Sequence, residues 1–344
     1  MIGVMWHHWA PKAWRGPFPF EIGLFFFLTL TGFLITRILL RERMLGDSTS
    51  LPWRTKTYIH FLKRRMVRIL TPCYVAMIFA IVVGAPDIQH YSWLYFAHLS
   101  NFHMAYLDAW PSGTAHYWTL AIQMQFYLIW PLVVFFTPKK AMLSVFLIFT
   151  AIAPISRMVL ARHFPEIHHS EAISTSSLDY FAIGSLLALA IERGMTVGDT
   201  RMKWGGLIAL GGYLILYISS EAGRPIAGFC LIQQTLLSIA FVGLISSTLS
   251  GLKGLLGRIL ENPFIQHTGR LSYGLYLFHT PVPLFLGWVL PWLWHPFFNG
   301  PWLVVRLLVF ALTSWGLACL CWKYLERSNA PARQGPSILS LPDS

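Results

Sequence analysis

Nine stretches of this 344-residue chain are apolar for long enough to cross a lipid bilayer, near residues 20–39, 67–84, 116–136, 141–160, 176–192, 203–219, 226–247, 271–292 and 302–322. No other feature restricts the fold as tightly. In hydrocarbon a backbone N–H or C=O has no water to bond, so a lone run of about 20 apolar residues is stable only as a helix. With 55% apolar residues, 12% charged residues and a mean hydropathy of +0.55, the composition does not fit an ordinary soluble domain. The expectation is an all-α, polytopic integral membrane helical bundle, one domain over residues 1–327. A Pro- and Ser-containing tail, 328–344, is expected to lack fixed structure.

Met1 to Ala10 is apolar too, yet too short to span, and it carries neither the basic flank nor the cleavage site of a secretory signal. It reads as the outer half of a helix. A fuller chain would then have about ten helices, the first of them incomplete here.

Basic residues set the expected orientation, because short cytoplasmic loops retain Lys and Arg. Twenty of the 26 fall at the ends of alternate spans, among them Arg37, Arg41, Arg43, Arg54, Lys139, Lys140, Arg193, Lys253, Arg327 and Arg333. Only Lys12, Arg15, Arg157, Arg162, Arg224 and Arg306 fall on the other side. This places the 40–66 loop and the C-terminus in the cytoplasm. The net charge of +12 is thus distributed by topology and by contact with membrane lipids, and a nucleic-acid partner is not expected. Four cysteines, Cys73, Cys230, Cys319 and Cys321, sit in or beside apolar runs, at no spacing that suits a disulfide framework or zinc, and no metal is expected.

Within the third run, HYWTLAIQMQFYLIWP, the polar residues His116, Thr119, Gln123 and Tyr127 share one helical face. Polar groups are costly in hydrocarbon, so such a stripe marks either a water-accessible, substrate-facing cavity or hydrogen bonding between helices.

The same stretch resembles the membrane acyltransferase 3 family, whose pattern here is H-[FY]-W-[ST]-L-[AS]-[VI]-E-x-Q-F-Y; Gln123 stands at its glutamate. GLFFFLTLTGFLIT, from Gly23, is similar to the family's G-V-D-[LI]-F-F-[VA]-[LI]-S-G-[FY]-L-[IL]-[TS], with Phe25 at its Asp and Thr31 at its Ser. FLKRRMVRILTPCY, from Phe61, matches F-x-x-x-R-x-x-R-I-x-P-x-Y with Arg65 and Arg68. SLDYFAIGSLLA, from Ser177, and GRLSYGLYLFHTPV, from Gly269, resemble later family segments and bring in Asp179 and His279. The matches follow the family's order across most of the chain.

What the resemblance implies is transfer of an acyl group, most often acetyl, from acetyl-CoA or another acyl-CoA to a hydroxyl of a glycan or lipid-linked sugar, in a bacterial cytoplasmic (inner) membrane. A sugar hydroxyl needs a general base, and by family register that is His8; His7 lies about 100° round a helix from it. Gln123, Tyr127 and His116 join His8 as catalytic candidates. Arg65, Arg68 and Arg64 are the candidates for the coenzyme's phosphates, and Thr31, Asp179 and His279 for the acceptor. Each has a plainer reading: arginines beside a span anchor topology, and a buried histidine bonds a carbonyl. Gln123 and Phe25 remove two expected carboxylates, so the charge comes from elsewhere, Glu21 or Asp179, or activity is reduced. Two other readings stay open, a transporter or flippase of a glycan-linked or acylated lipid and an inactive acyltransferase relative.

Overall fold

The computed structural model describes residues 1–48, 52–224, 226, 228, 230–251, 254–295, 300 and 302–327. The tail at 328–344, Lys253, Arg333 and the side chain of Cys230 lie outside the described residues. Among the described residues every regular element is helical, as the apolar runs require. Seven helices are long and apolar enough to cross a membrane: Ile22–Asp47, Arg54–Val82, Tyr117–Phe136, Met142–His163, Ser174–Glu192, Thr200–Glu221 and Leu303–Glu326. An eighth apolar helix, Gln233–Leu249, is shorter.

One expected span is two helices. The 271–292 run divides into Pro263–Phe278 and Pro281–Val289, with His279 and Thr280 between them. Pro281 and Pro283 fall within one turn. Neither can donate a backbone N–H, and each ring clashes with the carbonyl four residues earlier, whereas the isolated Pro72, Pro131 and Pro154 are absorbed within their helices.

The chain forms two compact units. One contains Ile22–Leu62 and Phe126–Arg258. At its centre helix Leu178–Glu192 packs on Ile22–Asp47, Met142–His163 and Gln233–Leu249, and the last of these packs on Thr200–Glu221. The approach of Leu178–Glu192 to Ile22–Asp47 is close enough to need glycine on both sides. A Cβ on Gly32 would fall on the Phe181 carbonyl, and one on Gly184 would fall on that of Thr29. Close backbone approach through small residues gives membrane helices packing contact that lipid cannot outbid. At one end of this unit buried Arg43 donates to the carbonyls of Val134 and Thr137 at 2.5 and 2.6 Å, closing the C-terminus of Tyr117–Phe136. Asp47 gathers Arg43, Arg54 and Lys139 at 3.5, 3.5 and 3.2 Å.

The other unit contains Met1–Glu21, Lys63–Gln125 and residues 259–327. Helix Ile2–Trp9 packs through Met5 on Leu271, Leu275 and Ala318. Residues 83–116 fold as short helices around Asp87, which accepts from the Tyr95 hydroxyl and lies 3.1 Å from His103 Nε2.

Candidate active site

The break at His279 and Thr280 builds the most distinctive group of side chains in the molecule. Four imidazoles follow one another there. The His7 and His8 rings are 5.6 Å apart, those of His8 and His279 5.1 Å, and those of His279 and His116 5.1 Å. Because the helix ends at Phe278, the His279 carbonyl is open to Trp9 Nε1, which donates to it at 2.9 Å and ties helix Ile2–Trp9 to the break.

Hydrogen bonds fix which nitrogens carry protons. His279 Nδ1 lies 2.8 Å from the Tyr276 carbonyl, which can only accept, so Nδ1 bears the proton. Thr280 donates to the Gly113 carbonyl at 2.9 Å, and its remaining lone pair meets His116 Nδ1 at 2.6 Å, so that nitrogen is also the N–H. The Nε2 atoms of His116 and His279 are left as bare acceptors, buried and without a protein partner. A buried acceptor left open is costly, and a ligand that brings O–H groups satisfies it. His8 differs from both in being exposed.

At the outer end of the row His7 Nε2 is 2.5 Å from Glu21 Oε1. Residues 11–21 fold back over helix Ile2–Trp9, held by Arg15 Nε donating to the Ala10 carbonyl at 2.8 Å and by Trp6 and Trp14 stacked 6.5 Å apart. Burial acts to raise the Glu21 pKa, but the His7 hydrogen bond, with charge from His7, His8 and Arg15, outweighs it and holds the carboxyl below its ordinary range.

The stripe on helix Tyr117–Phe136 is buried throughout, at His116, Thr119, Gln123 and Tyr127. Thr119 belongs to bonding between helices: its hydroxyl meets that of Tyr276, and Tyr276 donates to the His116 carbonyl at 2.9 Å. On helix Arg54–Val82, Arg64 and Arg68 are exposed and Arg65 is half-buried. Thr31, Tyr127 and Asp179 belong to the unit around Leu178–Glu192, and Thr31 is buried in helix Ile22–Asp47. Asp179 is fully buried, and its Oδ2 is engaged by Arg157 Nη2 at 2.9 Å and Thr235 Oγ1 at 2.6 Å, an upstream cation satisfying the acid. Phe25 packs in that unit as well, stacked on Tyr180 at 4.9 Å.

The model of a family described as "Acyltransferase domain", acyltransferase 3, matches residues 1–321. The chain belongs to this acyltransferase family. It is similar to the peptidoglycan O-acetyltransferase OatA of Listeria monocytogenes, 27% identical over 310 residues. The match covers 82% of this chain and 47% of the relative, so the chain spans about half of that protein's length. No solved structure matches. Residues 1–321 take in every residue of the histidine row, both arginine positions and the substituted Gln123 and Phe25. Sequence reasoning placed His8, His116 and His279 in the site without placing them together. It missed Thr280 and Tyr276, and it set His7 aside; the signal available for His7 was a lone acid, Glu21, at the edge of an apolar run.

Proposed function

We propose that this protein is an integral membrane O-acetyltransferase that moves an acetyl group from acetyl-CoA to a hydroxyl of a cell-surface polysaccharide, of which peptidoglycan and lipid-linked precursors are the nearest examples. The observation that carries the reading is the row in which exposed His8 adjoins two buried imidazoles presenting bare Nε2 atoms. A sugar hydroxyl suits them: it donates a hydrogen bond, and His116 and His279 have lone pairs to receive it. As the acceptor oxygen bonds to the acyl carbon and the carbon–sulfur bond breaks, the hydroxyl proton passes to His8 and from there to the departing thiolate.

Arg64, Arg65 and Arg68 suit the donor's phosphates, since guanidinium groups three and four positions apart on one helix can grip an anion in a planar fork. Gln123, on the helix that follows His116, orients the reacting groups by hydrogen bonds. The membrane is the bacterial cytoplasmic one, with the C-terminus inside.

Membranes carrying the chain, supplied with labelled acetyl-CoA, should incorporate label into envelope glycan. His8→Ala and Arg65→Ala should each abolish most of it, since a positioned base contributes about 10²-fold or more. Absence of label with the unsubstituted chain at full abundance would overturn the reading in favour of transport or of an inactive relative.

A further inference from the structure

A base that becomes an imidazolium during acyl transfer is helped by a negative charge close by, and the position where the family pattern has Glu holds Gln123, which cannot supply one. Phe25, at the pattern's Asp, is a packing residue against Tyr180. Glu21 lies at the end of the row, bonded to His7, on a segment folded back over the histidine helix. We propose that Glu21, bonded to His7, is a positioning residue that steadies the imidazolium formed on His8, supplying within residues 1–21 the charge that Gln123 does not. This rests on the acyl-transfer reading.

The step balances without a further reactant. When the acceptor hydroxyl gives its proton to His8, the ring becomes a cation and Glu21 remains an anion. When His8 returns the proton to the thiolate of the departing coenzyme, the pair regains its starting charge. Desolvation first, and then His7, lower the His8 pKa to about 4, and the Glu21 carboxylate acts in the opposite direction by favouring the charged form of the ring. The other titratable or charged groups acting on Glu21, His8 and their partners are His7 on the same helix, Arg15 on the returning segment, His116, His279, the Tyr276 hydroxyl and the Met1 amino group. Arg15 acts against the effect on His8, and Glu21 is the one among them that favours the cation.

The test uses two readouts on the full chain in membranes. In the first, kcat/KM for acetyl transfer is followed against pH for the unsubstituted chain, Glu21→Gln, Glu21→Asp and His7→Gln. Glu21→Gln should lower kcat/KM at pH 7 by about tenfold and move the acidic limb down by about one pH unit, because loss of the anion lowers the pKa of the base. Glu21→Asp should keep the limb where the unsubstituted chain has it. A Glu21→Gln limb that does not move, at any rate, means that Glu21 only holds the fold of residues 11–21 and overturns the proposal. So does a His8→Gln chain that remains active while His7→Gln does not, because the proton acceptor would then be His7. The second readout needs no activity: carbethoxylation of His8 by diethyl pyrocarbonate, read by mass spectrometry across the same pH range. Its midpoint should fall in Glu21→Gln. An unchanged midpoint overturns the charge coupling itself, whereas a shifted midpoint in a chain that transfers no acetyl leaves the coupling standing and removes the acyl-transfer reading.

Discussion

Arg157 shows how much a single side chain can hold. Buried at one end of helix Met142–His163, it donates through Nε to the Leu231 carbonyl at 2.9 Å, through Nη1 to Ser176 at 2.5 Å and through Nη2 to Asp179 at 2.9 Å. Two parts of the chain distant from its own helix, 176–179 and 231, meet on one guanidinium. Removing either partner of a buried ion pair leaves the other uncompensated, at a cost of about 3–5 kcal/mol. Arg157→Met should therefore lower the melting temperature of the detergent-solubilised protein sharply. Arg157→Lys should recover little, because an ammonium cannot reproduce the planar fork that reaches two carbonyls and a carboxylate. A Lys variant melting with the unsubstituted protein would show that charge alone matters there. An acid inside an apolar run announces from sequence that Asp179 needs a cation. Which cation was not legible, since Arg157 reads equally well as a loop residue marking topology. The same limit applies at Glu21, whose bond to His7 depends on how residues 11–21 fold back, a stretch with no periodic pattern to read.

Helices were the legible level, and their interruptions and contacts less so. Apolar length located the seven long helices, but a run of 22 apolar-rich positions at 271–292 conceals the break that makes the histidine row. The break is local chemistry: two prolines one residue apart halt the ladder, and Thr280 is thereby free to meet His116. Contact between helices is likewise written in single atoms. Alanine at Gly184 puts a methyl group onto the Thr29 carbonyl, so Gly184→Ala should cost about 1–3 kcal/mol as Leu178–Glu192 is pushed from Ile22–Asp47. Gly205, on helix Thr200–Glu221, faces open space. There the same substitution should stabilise by up to about 1 kcal/mol, because alanine restricts the unfolded chain and favours helix. Opposite signs in thermal stability measurements are expected; equal losses at both positions would show that glycine acts through helix flexibility instead of through contact.

At the scale of the whole chain the charge pattern and the fold agree within one unit. Arg43, Arg54 and Lys139, all assigned to one side by the sequence, converge on Asp47, and Arg193 reaches the Lys139 carbonyl at 3.3 Å. Residues separated by three helices in the chain thus end at the same level, as a membrane boundary would require. Basic residues at such a level favour the cytoplasmic face, where anionic lipid attracts them and translocation disfavours their export. On that pattern helix Tyr117–Phe136 is expected to start outside and end inside, which would put the site's His116 at the outer end. Two exposed positions flank that helix, Ala109 before it and Lys140 after it. In spheroplasts a membrane-impermeant maleimide should label Ala109→Cys at once, and Lys140→Cys only after the membrane is permeabilised, each read as labelling above that of the unsubstituted chain, in which Cys73 and Cys321 are buried and Cys319 is half-buried. The reverse result would place His116 at the cytoplasmic face and overturn the orientation expected from the basic residues.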